Sequence, residues 1–165
     1  MDRLTEERRS WNMSRISGKN TSPERTVRSI LHRLGYRFRL HSQSLPGKPD
    51  IVLPKYRTVI LVNGCFWHRH NGCRYAYIPK TQKEFWSRKF SENIERDQRV
   101  SFALRMLGWQ VLVIWECELL DIEQLRARLD RALVHGIVKW PRFCRQLEGR
   151  FVLNSGGFMV SGFPG

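Results

Sequence analysis

Apolar residues first fall into a helical rhythm at Val27, Ile30, Leu31 and Leu34, spaced i, i+3, i+4, i+7 on one face. Thr21-Ser-Pro-Glu24 opens that helix. Ser22 can accept a bond from a free backbone N–H, and Pro23 suits the first helical position. Gly35 stops it. The rhythm then changes. Residues 36–40 alternate and read as a strand, and 45–49, Leu-Pro-Gly-Lys-Pro, form a turn. Residues 50–53 and 58–62 are short strands joined as a hairpin by Pro54-Lys-Tyr-Arg57. A helix is expected over roughly 81–107, with a break near Ser91 and an end at Gly108. Residues 109–115 are continuously apolar and read as a buried central strand. A last amphipathic helix covers 121–133, with Leu125, Leu129 and Leu133 at spacing four.

The order α, β, β, β, α, β, α predicts an α/β fold: one domain, with helices on the faces of a mixed sheet. Its limits are set at 21–136. Residues 1–20 read as a flexible basic arm, and 137–165 as a basic, glycine-rich tail. No internal repeat is present.

Composition is consistent with this picture. A chain of 165 residues, 41% hydrophobic, is large enough for one soluble domain with a core of its own. It contains no apolar run of about 20 residues, so no membrane span is expected. Residues 1–20 lack the apolar core of an export signal, and a cytoplasmic location is expected. Charge narrows the class further. Lys and Arg total 29 against 15 Asp and Glu, a net +14, which favours a polyanionic partner and above all nucleic acid.

Chemistry concentrates in Asn63-Gly-Cys-Phe-Trp-His-Arg-His-Asn-Gly-Cys73, directly after a strand. Cys65, His70 and Cys73 have the spacing C-x4-H-x2-C, and Cys117 at the end of the 109–116 run could return as a fourth ligand. Three thiolates and an imidazole suit a structural Zn²⁺. Buried free thiols near a surface histidine are the plainer alternative. Cys144 reads as a spare thiol in the tail. His68 falls outside this ligand set and is free to act as a general base, unless it replaces His70 on the metal. Asp50 follows Pro49 at a strand start, where a carboxylate can hold Mg²⁺ or simply shape a turn. Glu24 in a first helical turn suits the helix dipole, and Asp97 in Glu95-Arg-Asp-Gln-Arg99 suits a solvated salt-bridge face. Phe66, Trp67 and Trp86 could wedge between DNA base steps or pack around the loop.

Pro-Gly-Lys-Pro-Asp50, Gly-Cys-Phe-Trp-His68, Glu84-Phe-Trp86, Asn93-Ile-Glu-Arg-Asp97 and Leu107-Gly-Trp-Gln-Val-Leu-Val-Ile-Trp-Glu-Cys117 together resemble the very-short-patch repair (Vsr) endonucleases, from about residue 12 to about 135. The resemblance implies a restriction-endonuclease-like fold of PD-(D/E)xK type with a structural zinc site. It implies Mg²⁺-dependent nicking of double-stranded DNA 5′ to the thymine of a T:G mismatch left by 5-methylcytosine deamination. In that reading Asp50 and the backbone carbonyl of Val62 hold the catalytic magnesium, and His68 is the base. Glu24 and Asp97 complete the site. Cys65, His70, Cys73 and Cys117 hold zinc, while Phe66, Trp67 and Trp86 enter the DNA. Asn63 stands where some relatives carry a second active-site histidine. Its amide can bond a phosphate oxygen but takes no proton at neutral pH, which leaves the base role to His68 alone. The loop over 69–73 is one residue longer than the family's histidine-rich version. A monomer is expected from one domain with one site, and mismatch-repair proteins are partners by family analogy. Rival readings are a restriction- or homing-type nuclease of the same fold, or a zinc module that binds DNA without cutting it.

Overall fold

The structure is a computed structural model that describes Arg8, Trp11 and residues 18–135. The expected arm over 1–20 lies almost wholly outside the described residues, and the tail over 137–165, with Cys144, lies entirely outside them.

Helix α1, Ser22–Arg33, begins at a capping box. Thr21 Oγ1 accepts from the Glu24 N–H, and the Glu24 carboxylate accepts from the Thr21 N–H. The cap is therefore Thr21, one residue before Ser22, and Pro23 occupies the second helical position. Thr21 alone combines extended backbone with the three-residue spacing to Glu24 that the box needs. Val27, Ile30 and Leu31 from this helix are buried. At its far end the Tyr36 hydroxyl donates to Asp130 Oδ1 at 3.0 Å, joining the exit of α1 to the last helix.

Four strands follow: β1 (Arg39–Leu40), β2 (Ile51–Leu53), β3 (Thr58–Asn63) and β4 (Gln110–Trp115), adjacent in that order. The pairs β1–β2 and β2–β3 are antiparallel, while β3–β4 is parallel. β1 is shorter than the alternation over 36–40 suggested. Its partner β2 runs into Pro54, which has no N–H to extend the ladder. The β2–β3 hairpin turns through a 3-10 segment, Pro54–Tyr56, and left-handed Arg57.

Helix α2, Lys83–Met106, is continuous for 24 residues. The expected break at Ser91 is absent, because nothing between its ends is Gly or Pro and Ser91 faces solvent. The last helix, α3 (Ile122–His135), starts as Asp121 Oδ1 accepts from the Gln124 N–H. It buries Leu125, Leu129 and Leu133.

The run over 109–115 is an edge strand among the described residues, not a central one. Apart from Gln110 it is apolar, because both of its faces are covered. Leu112 and Ile114 join one core cluster with Val27, Leu31, Ile60 and the α3 leucines. Trp109 and Val111 join a second cluster with Val59, Val100 and Leu104 on the other face. The result is three layers, with α1 and α3 on one side of the sheet and α2 on the other. The turn at 45–49 also lies against α2. A Cβ on Gly47, whose φ is +71°, would fall 2.3 Å from a Val100 methyl. No helix among the described residues is long and apolar enough to cross a membrane.

Candidate active site and metal centre

The parallel pairing of β3 and β4 determines where the cysteines go. Asn63 lies opposite Trp115 at the shared carboxyl ends of the two strands. Two residues beyond each stand Cys65 and Cys117, so the chain returns Cys117 to the loop after β3. One ligand atom from each of Cys65, His70, Cys73 and Cys117 lies within 4.8 Å of all the others. His70 Nδ1 is 3.7 Å from Cys65 Sγ and 3.3 Å from Cys117 Sγ. A tetrahedral zinc with bonds of about 2.0–2.3 Å would separate such donors by roughly 3.5–3.8 Å. The donor set thus fits a closed structural metal. The His70 ring is stacked on Trp115 at 4.2 Å, which fixes its orientation. His70 is the histidine brought into this cluster, and His68 is left outside it. Burial pushes the Cys65 thiol up to about 12 and raises Cys117, while Cys73 is lowered, mainly by a backbone bond from Tyr75. A metal must displace these protons to bind the thiolates.

A second cluster lies where α1 meets the start of β2. Glu24, His41 and Asp50 also offer ligand atoms within 4.8 Å of one another. Glu24 is buried and accepts from the N–H groups of Asn20 and Thr21, from the Thr21 hydroxyl and from Arg28. Asp50 Oδ2 accepts from the Val62 N–H at 2.8 Å, which ties the carboxylate to the end of β3. Burial raises the Asp50 carboxyl above the ordinary carboxylate range, the Val62 bond opposes that, and the nearby Glu24 charge adds to it.

His41 and Arg28 were not singled out from the sequence. The signal for His41 was available. If residues 36–40 pair antiparallel with 50–53, the residue after Leu40 falls opposite Asp50. The His41 N–H does donate to the Asp50 carbonyl, at 3.4 Å.

His68 is positioned by the loop and by α2. Its N–H donates to the Gly64 carbonyl at 3.1 Å, and its Nδ1 is hydrogen-bonded to Asp97 Oδ2. With Nδ1 protonated against the carboxylate, Nε2 keeps a free lone pair, the arrangement a general base needs. Asp97 is half-buried and not on an open face, although Arg96 also reaches it at 3.5 Å. Asn93 donates to the Trp67 carbonyl at 3.0 Å, a second tie between α2 and the loop. Asn63 ends β3 two residues before Cys65, and the preceding Val62 carries the N–H that bonds Asp50.

Phe66, Trp67 and Trp86 pack on one another. The Phe66 ring centre lies 5.1 Å from Trp67, 5.2 Å from Trp86, 5.3 Å from Phe90 and 5.0 Å from Tyr77. All three are half-buried, and the cluster is rimmed by exposed Tyr77 and Phe85. The rings thus form one apolar block with an accessible edge, and the two readings of these aromatics are compatible.

A family model described as DNA mismatch endonuclease Vsr matches residues 1–74. The chain is 53% identical over 132 residues to the type II nicking enzyme V.XorIIP of Xanthomonas oryzae pv. oryzae, covering 80% of this chain and 96% of that protein. It is 43% identical over 132 residues to the DNA mismatch endonuclease Vsr of Escherichia coli, covering 80% and 82%. The chain belongs to the Vsr endonuclease family. It is accordingly an enzyme, a hydrolase of the DNA-nicking endonuclease family. Its type II nicking relative V.NmeAIP of Neisseria meningitidis is 43% identical, over 79% of this chain and 92% of that protein. Among solved structures, the catalytic domain of the homing endonuclease I-Bth0305I matches 72% of this chain and 99% of its own, at 26% identity and a TM-score of 0.49. DNA is the substrate of such an enzyme, the nuclease family implies a divalent cation, and the Cys65 cluster has the donors for a structural metal.

Proposed function

We propose that this Vsr-family enzyme nicks double-stranded DNA 5′ to the thymine of a T:G mismatch, with Mg²⁺ at the acid cluster and Zn²⁺ in the Cys65 cluster. The family description and the Escherichia coli relative both carry the word mismatch. The observation that carries the chemistry is a convergence on one strand end. Asp50 is bonded to the Val62 N–H, and His68 is bonded to Gly64 two residues on.

In this reading Asp50, helped by the Val62 carbonyl and by Glu24, would hold magnesium, which when bound neutralises phosphate charge and favours water ionisation. His68 Nε2 takes the proton of the attacking water, and Asp97 holds the imidazole in the required tautomer and stabilises the cation that forms. Asn63 donates its amide to a phosphate oxygen. The basic surface binds the backbone, and the edge of the Phe66, Trp67 and Trp86 block enters a base step. A wobble pair is cheaper to unstack than a matched one, so deformability selects the site.

A second reading has one specific support. The relatives at 53% and 43% named above are called type II nicking enzymes, and such an enzyme could cut a fixed sequence in intact DNA. A nicking assay across T:G duplexes in varied contexts and their matched counterparts, with EDTA controls, separates the two. Cleavage confined to mismatched duplexes supports the proposal. Equal cleavage of matched DNA at one sequence would overturn it in favour of the second reading.

A further inference from the structure

His41 occupies the acid cluster without a role in the chemistry above. Its ligand atom lies within 4.8 Å of those offered by Glu24 and Asp50. His41 Nε2 is 3.7 Å from Glu24 Oε2, inside the roughly 3 to 4.2 Å that an octahedral ion with bonds of roughly 2.1 Å sets between its donors. The backbone presents the imidazole at this place. His41 has a φ of +45°, a region that a non-glycine residue rarely adopts, and its N–H is bonded to the Asp50 carbonyl.

A cationic group already stands in this cluster. Arg28 Nη2 donates to Glu24 Oε2 at 2.6 Å and lies 3.1 Å from His41 Nε2. A guanidinium has no lone pair to give, so in that contact Nε2 acts as the acceptor, while Glu24 Oε2 stands 3.7 Å from the same nitrogen. That lone pair is the one a metal would use. Arg28 Nε is meanwhile buried without a hydrogen-bond partner, so the guanidinium is incompletely satisfied where it stands.

We infer that His41 is a nitrogen ligand of the divalent-cation site formed with Glu24 and Asp50, and that Arg28 holds the three together until the ion takes its place. This rests on the metal-dependent reading above and deepens it. Imidazole suits Mn²⁺ and the later first-row metals better than it suits Mg²⁺, whose ligands are oxygens. The site therefore prefers Mn²⁺.

The test is Mn²⁺ binding to the zinc-loaded full chain, followed by the electron-spin signal of free Mn²⁺ with Mg²⁺ as competitor and by ¹⁴N modulation of the bound ion. The expected result is ¹⁴N coupling that His68→Gln leaves intact and His41→Asn removes. Asn tolerates the left-handed backbone, so this variant keeps the turn. His41→Asn should also weaken Mn²⁺ about tenfold, while Mg²⁺ changes little. Coupling that survives in His41→Asn, or an unchanged Mn²⁺ to Mg²⁺ ratio, overturns the inference. If Asp50→Ala binds Mn²⁺ as tightly as the unaltered protein, the metal-dependent reading of the acid cluster itself fails. That outcome is distinct from loss of the His41 role alone.

Discussion

Burial holds a proton on the Asp50 carboxyl to a higher pH than in the unfolded chain. The linkage then has a definite sign. Below the unfolded pKa both states are protonated and the residue is neutral to stability. As pH rises above that value the unfolded state ionises first, and the metal-free fold loses stability until the folded pKa is passed. Asp50→Asn should accordingly raise the thermal midpoint of the metal-free protein at pH 7, with the gain vanishing below about pH 4 in parallel melts. The same change, like Asp50→Ala, should abolish nicking while duplex binding persists in a gel-shift assay. Full activity would remove Asp50 from the chemistry. In the proposed mechanism His68 and Asp97 work as a pair, so Asp97→Asn should lower kcat by about 10²–10⁴-fold with a smaller effect on KM. His68→Ala should lose turnover but keep its zinc by metal analysis, because its ring is bonded to Asp97 while that of His70 faces the thiols.

The elements explain why some of this arrangement could be read from the chain and some could not. The α1 stripe at Val27, Ile30 and Leu31 and the α3 leucines are local periodicities, and both fall in the core as expected. The 109–115 run was legible as a strand but not as an edge. An apolar pattern reports that both faces are covered, and helices can cover them as well as neighbouring strands would confine them. Likewise Glu24 and Asp97 each had a sufficient local explanation. Only tertiary contacts bring Glu24 to Asp50 and His41, and Asp97 to His68. Glu24 also keeps its local role, which makes the α1 cap a shared device. Thr21→Ala removes the hydroxyl that both caps the helix and donates to the Glu24 carboxylate. It should cost about 1 kcal/mol in denaturant unfolding, and it should also weaken divalent-ion binding. A loss of stability with unchanged ion affinity would confine Thr21 to the cap.

At the scale of the whole molecule, the net +14 belongs to an enzyme whose substrate is a polyanion. Duplex affinity should therefore fall steeply and linearly on a log–log plot as salt rises, an outcome that titration between 50 and 200 mM salt would test at about the slope expected for several phosphate contacts. The loop after β3 has little apolar core of its own beyond the aromatic block, and its Cys65, His70 and Cys73 are gathered onto Cys117, which the register of two parallel strands brings beside them from the end of β4. His68 lies inside that loop, between one thiol and the imidazole of His70. Oxidising the thiols to a disulfide, or stripping a bound ion from them with a strong chelator, would then slacken the tether that, in the proposed mechanism, aims His68 at the attacking water. Nicking would fade under oxidative stress or zinc starvation even with magnesium plentiful and every residue of the acid cluster untouched.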